Sequence, residues 1–276
     1  MSISIQTNLA SLTAQDNLSS AQSKLSMSFE RLSSGYRINS SADDAAGLAI
    51  SQSMDMQVRS YVVAQRNAND AISMSQTADG ALGQLSDMLG RMRELATEAA
   101  NGSLQTSDRS YIQTEFSQLQ QEMKRLMTST KFNGVSLINS ASASVSFQVG
   151  INNTAADRIT ATFGGLKLTA LLSATTSVGG TAGNAQTAMD TIDSALTSIS
   201  TSRTRYGALM NRLDTTVSNL QTIQLNVTAA ESRIKDVDVA SETSAMSREQ
   251  VLAQGGAAVL AQANQMPQLA LKLLTG

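Results

Sequence analysis

The side chains able to do chemistry in this 276-residue chain are few, and their spacing favours contacts over catalysis. There is no His and no Cys, which removes the usual general base, the commonest transition-metal ligand, thiolate nucleophiles and disulfides. An enzyme would have to work with carboxylates, Lys, Tyr or Ser. No convergent Ser/His/Asp, Cys/His or phosphate-cradling Gly-rich arrangement exists, so no catalytic, metal or cofactor residue is nominated. Asp43 and Asp44, beside Gly35, Asn39 and Ser41, have the composition of a cation loop. A helix start explains them with less: Ser40 or Ser41 caps, and the two acids occupy the first turn, where they favour the dipole. Arg91, Arg93, Glu94 and Glu98 are mixed charges at helical spacing, which in isolation describe a solvated face.

The elements that position these groups are long helices. Ala71, Met74, Ala78, Ala81, Leu85, Met88, Met92, Leu95 and Ala99 recur three and four apart, a stripe by which one helix packs lengthwise on another. A second stripe runs through Ile192, Leu196, Ile199, Tyr206, Met210, Leu213, Val217, Leu220, Val227 and Ile234, with Arg203, Gln224 and Glu231 as polar interruptions. Two such seams separated by different sequence predict antiparallel partners and chain ends that meet.

Composition narrows the partners. Net charge is -2 with both signs interspersed, and aromatics are 3% of residues, so there is neither a basic field for phosphates nor a platform for stacked bases. Nucleic acid is excluded as a partner. Charged residues are only 15%, below the roughly 25% of a soluble domain, which predicts burial of much of the surface in an assembly. Val251 to Gly276 carries one charge, Lys272, but Gln254, Gln262, Asn264, Gln265, Gln268 and Pro267 interrupt it too often for membrane insertion. The N-terminus has no basic region followed by an apolar run. The protein therefore stays in the cytoplasm or leaves by a route that reads no cleavable peptide.

Along the chain, a first helix with Leu18, Ala21, Leu25, Phe29 and Leu32 on one face ends near Ser34-Gly35. A second, uninterrupted by Pro, runs to Ala100, and Ser107-Asp108 caps a third. Phe132-Asn133-Gly134 marks a turn. Val145, Phe147, Val149 and Ile159, Ala161, Phe163 alternate as strands of hairpins. Residues 141–185, rich in Ser, Thr, Gly and Ala, predict an exposed, tolerant segment with little core. Helix resumes near Gln186, breaks at KDVDVASETS and restarts near Ser247.

The segment RLSSGYRINSSADDAAGLAISQSM from Arg31, together with RMRELATEAANG, KFNG and nearly the whole stretch from NRLDTTVSNL to QMPQLALKLL, resembles bacterial flagellin. The resemblance implies a mainly α fold: a long antiparallel coiled-coil helical rod formed by both chain ends, with a small β-hairpin region in the middle. Residues 1–44 and 235–276 would form the inner filament core and 45–140 with 186–234 the rod domain. Residues 141–185 would replace larger outer domains. The implied function is a subunit that self-polymerises into the flagellar filament for swimming motility. Implied partners are other copies, an export chaperone, the type III export apparatus, the filament cap and hook-junction proteins. The implied location is extracellular, reached without a cleavable signal peptide. A hook-filament junction protein shares the terminal helices, but the match through QANQMPQLALKLL favours flagellin. A cytoplasmic signalling coiled coil would bring a membrane span or sensory domain.

Two residue sets follow. Leu9, Leu12, Leu18, Leu25, Leu252, Val259, Met266, Leu269 and Leu273 form the expected polymerisation seam. Burying each large side chain is worth roughly 1.5–3 kcal/mol against about 1–2 kcal/mol per ordered backbone residue, so neighbouring subunits would tip these ends toward order. By resemblance, Arg91, Leu95 and Glu115 match a surface that a vertebrate Toll-like receptor recognises and that also packs subunits. The preceding residue is Gly90, where recognised flagellins commonly have Gln.

Overall fold

Helix boundaries fall where backbone donors and acceptors find local partners. The computed structural model describes residues 7–173 and 175–275, with 267–275 as backbone only. The order is α1 (Leu9–Ser34), α2 (Ala45–Ala99), α3 (Thr106–Ser129), β1 (Lys131–Phe132), β2 (Val135–Ser136), β3 (Ser142–Gln148), β4 (Arg158–Gly164), α4 (Ala182–Lys235) and α5 (Val239–Thr275). Gly35 ends α1 at φ +76°, a left-handed turn that suits glycine, with its N–H donating to the Arg31 carbonyl at 2.9 Å. The acids after it are caps rather than first-turn residues. Asp44 Oδ1 accepts the Gly47 N–H at 2.9 Å, while Asp43 Oδ2 accepts from the Asn39 and Ser40 amides and the Ser40 hydroxyl. Neither Ser40 nor Ser41 starts α2, because a carboxylate reaches those amides and carries the charge that the helix end favours.

Two later boundaries also move. Asp108 accepts the Gln105 N–H at 3.0 Å, so α3 starts at Thr106, before the expected Ser107 cap. Asp238 Oδ1 accepts from the Ala240 and Ser241 amides, so α5 starts at Val239 rather than near Ser247. Polar SETS therefore lies inside a helix. Its Thr243 and Ser244 hydroxyls donate to carbonyls four residues back instead of competing for the backbone.

The chain divides into two units, Met1–Met56 with Asn226–Gly276, and Gln57–Leu225. In the second, α2 runs antiparallel to both α3 and α4. Arg91 pairs with Glu115 at 2.8 Å, and Arg93–Asp193 and Arg203–Asp79 pair at 2.7 and 2.9 Å. Within this unit both predicted seams are buried, but more broadly than a two-helix stripe, while Val227 and Ile234 of the second seam fall in the first unit and are half-buried. Leu82 and Leu89 are fully enclosed while Ala81 and Met88 are only partly so, and in α4 Leu209 lies deeper than Met210. A helix facing several neighbours buries a wider arc.

Asn133 and Gly134, both at positive φ, make the two-residue turn between β1 and β2. Strands β3 and β4 pair antiparallel with Val145 opposite Ala161 and Phe147 opposite Ile159, which puts the apolar positions on one face. Phe163 is fully buried and stacks on Tyr206 with centroids 5.4 Å apart. Burial pushes the Tyr206 hydroxyl above its ordinary pKa.

The expectation for 141–185 fails here. Leu166, Leu168, Leu171 and Val178 are buried as core residues. Side chains of α3 tie this irregular stretch down: Gln113 Oε1 accepts from the Val178 and Gly179 amides, and Gln120 Nε2 donates to the Leu171 and Thr176 carbonyls. Polar composition misled because the loop's backbone is satisfied by glutamines far away in sequence, leaving its few leucines free to point inward.

At the other end of α3, Arg109 is buried and donates from Nε to the Ala99 carbonyl and from Nη2 to the Asn101 carbonyl, both at 2.8 Å. It satisfies orphan acceptors at the end of α2 and favours the negative pole of that helix. Arg109→Ala is expected to cost about 3 kcal/mol, from two hydrogen bonds to a charged group. Amide hydrogen exchange should show the loss concentrated around residues 96–109.

Candidate assembly surfaces

In the first unit, α1 and α5 pack antiparallel. Asn8 Nδ2 donates to the Ala263 carbonyl at 2.8 Å, and the Ser11 hydroxyl donates to Asn264 Oδ1 at 2.7 Å. At the opposite end Arg31 lies 3.9 Å from Glu242. The inward heptad of α1 is built from small residues and two leucines: Ser11, Ala14, Leu18, Ala21, Leu25 and Ser28. On α5 the matching positions are Glu249, Ala253, Gly256, Leu260 and Ala263, with Leu18 placed 3.5 Å from where a Cβ on Gly256 would sit. Small residues allow close approach of the two backbones.

What faces outward is larger and more apolar than what faces inward. Leu9, Leu12, Val251, Leu252, Val259 and Met266 are all more than half exposed, and Phe29 on α1 is also turned out. This reverses the usual order of a helix pair, whose large apolar side chains lie in the seam. The expected polymerisation seam is thereby divided. Leu18 and Leu25 are half-buried between α1 and α5, Leu9, Leu12, Leu252, Val259 and Met266 are outside, and the side chains of Leu269 and Leu273 fall outside the described residues.

The segments after α1 and α4 clasp each other. Tyr36 and Asp236 form an isolated antiparallel bridge, the Arg37 N–H donates to the Lys235 carbonyl at 2.7 Å, and the Val237 N–H donates to the Gly35 carbonyl at 3.0 Å. Lys235 Nζ sits 4.4 Å from the centre of the Tyr36 ring. Asp43 lies 3.6 Å from Arg31.

Hydrogen bonds from the Ser40 amide and hydroxyl, then the Asn39 amide and the Arg31 charge, hold the Asp43 carboxyl below its ordinary value of 3.8. A folded-state pKa below the unfolded one contributes stability that is fully present above the unfolded value and fades as pH falls through the folded one. The Asn39 and Ser40 amides are therefore expected to keep their hydrogen-bonded chemical shifts down through the ordinary carboxylate value of 3.8 and to lose them only at lower pH. Asp43→Asn should remove that acid-dependent change.

In the second unit, Arg91 bridges Glu115 and Glu94 at 2.8 and 3.0 Å on the open face of α2 and α3. Hydrogen bonds to those two carboxylates raise its pKa further. Leu95 does not join them. It is 2% exposed and belongs to the core, so the apolar anchor expected beside Arg91 faces the protein interior. The seam reading and the surface reading both claimed this residue, and burial decides for the seam. Sequence reasoning also left Asp79 unremarked and took Arg203 as a seam interruption; their ion pair joins positions 124 residues apart, which no local pattern signals.

Among the described residues no group of acids could hold a metal ion, and no helix is long and apolar enough to cross a membrane. The surface chemistry is that of an assembly protein: paired charges on one unit and a helix pair whose outer face is apolar on the other.

Comparison with known proteins identifies which assembly. The bacterial flagellin N-terminal helical region matches residues 5–143, and the bacterial flagellin C-terminal helical region matches residues 189–274. A flagellin of Halalkalibacterium halodurans is 41% identical over 98% of this chain and 99% of its own length. Flagellin D of Vibrio cholerae is 34% identical, covering 99% of this chain and all of its own. That alignment extends over 376 positions against the 276 residues here, so the Vibrio protein carries inserted sequence. A structure from Vibrio parahaemolyticus, provisionally assigned as a flagellar hook-associated protein, matches with TM-score 0.59 and 15% identity over 70% of this chain and 100% of that one. It shows a shared fold. The chain belongs to the bacterial flagellin family. It is a structural subunit of the flagellar filament, not an enzyme.

Proposed function

We propose that the outward apolar faces of α1 and α5 are the surfaces by which subunits pack into the filament's inner layer, with residues 45–140 and 186–234 forming the layer around it. The supporting observation is the inverted helix pair, Ala14, Ala21 and Ala263 inside with Leu12, Leu252 and Val259 outside. Each such side chain that becomes fully buried in the polymer contributes roughly 1.5–3 kcal/mol. Neighbouring copies then stabilise α1 and α5 by mass action.

In this reading the subunit works outside the cell. It leaves through the flagellar type III apparatus, accompanied by a chaperone that covers the C-terminal region, and joins the filament between the hook-junction proteins and the distal cap. The weakly charged stretch from Val251 supports the need for a cover before assembly. Recognition of released monomer by a Toll-like receptor rests on Arg91 and Glu115 at the surface, with Leu95 holding α2 in place from beneath. Addition of purified protein to short filament seeds, followed by electron microscopy, tests the filament role. Long uniform tubes are expected, with slower amide exchange in α1 and α5 than in the monomer. Folded monomer that never elongates the seeds would refute it.

A further inference from the structure

The dipeptide Asn-Gly occurs at Asn101–Gly102, just after α2, and at Asn133–Gly134, between β1 and β2. An asparagine followed by glycine is open to attack by its own backbone. Once the glycine N–H has given its proton to water, the nitrogen bonds to the asparagine Cγ and Nδ2 leaves as ammonia. Water then opens the cyclic imide at either carbonyl, giving aspartate or isoaspartate. The backbone nitrogen supplies the electron pair, water replaces the ammonia, and no oxidant or reductant takes part.

Negative charge develops at two oxygens along this route, and at Asn101 both are met by donors. Loss of the Gly102 proton moves charge onto the Asn101 backbone oxygen. That oxygen already accepts from Arg109 Nη2 at 2.8 Å and from the Leu104 N–H at 3.3 Å. Arg109 is itself buried and fixed by its second bond, from Nε to the Ala99 carbonyl. Attack at Cγ moves charge onto Oδ1, which accepts the Ser103 N–H at 3.1 Å. This bond also folds the Asn101 side chain back alongside Gly102. Donors already aimed at developing charge are the arrangement that lowers such barriers.

Access is equally open. Asn101, Gly102 and Ser103 are exposed to the water that the route needs, and no atom lies within 4 Å of where a Cβ on Gly102 would sit. Among the described residues the Gly102 N–H donates to no group. Asn133 offers the same dipeptide without these aids. It sits at φ +47° in the turn of the β1–β2 hairpin, and among the described residues its side chain makes no hydrogen bond.

We infer that the turn after α2 is a self-modifying site, at which Asn101 deamidates through attack by Gly102 with Arg109 and Ser103 stabilising the charge that forms. Either product adds a carboxylate to the turn. In isoaspartate the former Asn101 backbone carbonyl becomes that carboxylate, beside the Arg109 guanidinium that already holds it. The reaction is irreversible, so the acidic form accumulates with the age of the molecule.

The two Asn-Gly pairs test it within one chain. Full-length protein is held at mildly alkaline pH, native and in urea, and peptides covering both sites are followed by mass spectrometry with isoaspartate resolved from aspartate. In the native protein Asn101 should convert about tenfold faster than Asn133 or more, with isoaspartate among the products. In urea the two rates should converge, because only the dipeptide remains. Gly102→Ala should slow conversion at residue 101 several-fold and leave Asn133 unchanged. A native Asn101 no faster than Asn133, a lead that persists undiminished in urea, or aspartate as the sole product would overturn the assignment.

Discussion

Changing Leu252 and Val259 together to Asp should abolish seeded elongation while leaving the folded monomer intact. The two side chains are 53% and 60% exposed on α5, and surface substitutions of this kind change monomer stability by only about 0.5 kcal/mol each. In the proposed inner layer the same positions would be enclosed by neighbouring subunits. An ionised carboxylate there has lost its water without gaining a partner, an effective penalty of several kcal/mol for each charge. The loss recurs at every added subunit, so no seed grows. Leu18→Asp provides the contrast: Leu18 packs inside the α1–α5 pair near Gly256, and its replacement should disrupt that pair in the monomer itself. Sedimentation of the polymer and circular dichroism of the monomer separate the two effects. Equal elongation by Leu252→Asp/Val259→Asp and wild type would show that this face of α5 is not a contact.

Phe163→Ala should give the largest loss of monomer stability, about 3–5 kcal/mol, as expected for removing a fully buried aromatic side chain. Phe163 closes the end of β4 and stacks on Tyr206 of α4, whose hydroxyl donates to the Leu137 carbonyl at 3.4 Å. The next residue, Gly164, is at φ +72°, and a Cβ there would run into the Ala141 carbonyl, so the backbone cannot readily shift to fill the space. Phe163→Leu retains most of the buried volume and should cost less than half as much. Urea unfolding followed by circular dichroism measures both. A smaller loss for Ala than for Leu would contradict the packing described.

Much of this architecture was legible because it repeats. The stripes through Leu85 and Leu213, the glycine after Ser34, the Asn133-Gly134 turn and the alternation around Phe147 and Phe163 are local signals, and each fell where its element formed. The misreadings have physical causes. Leu166, Leu168, Leu171 and Val178 follow no period, so their burial depends on Gln113 and Gln120 contributing hydrogen bonds from a distant helix. Asp238 starts α5 early because one carboxylate outweighs a polar run.

The candidate surfaces were half visible. Apolar ends with little charge pointed to assembly, but only the folded helix pair separates Leu18 and Leu25, held between the two helices, from Leu12 and Leu252, turned outward. Leu95 shows the reverse: its seam spacing already assigned it to the core, and the surface role came from resemblance alone.

The most direct measurement is side-chain footprinting by hydroxyl radicals on monomer and on filament grown from seeds, read at Leu12, Leu252, Val259 and Met266, with Tyr111, 76% exposed in the other unit, as a reference. The inverted helix pair predicts strong labelling of the four apolar residues in the monomer and near-complete protection in the filament. Labelling that is unchanged on polymerisation would contradict the claim that these faces hold the filament together.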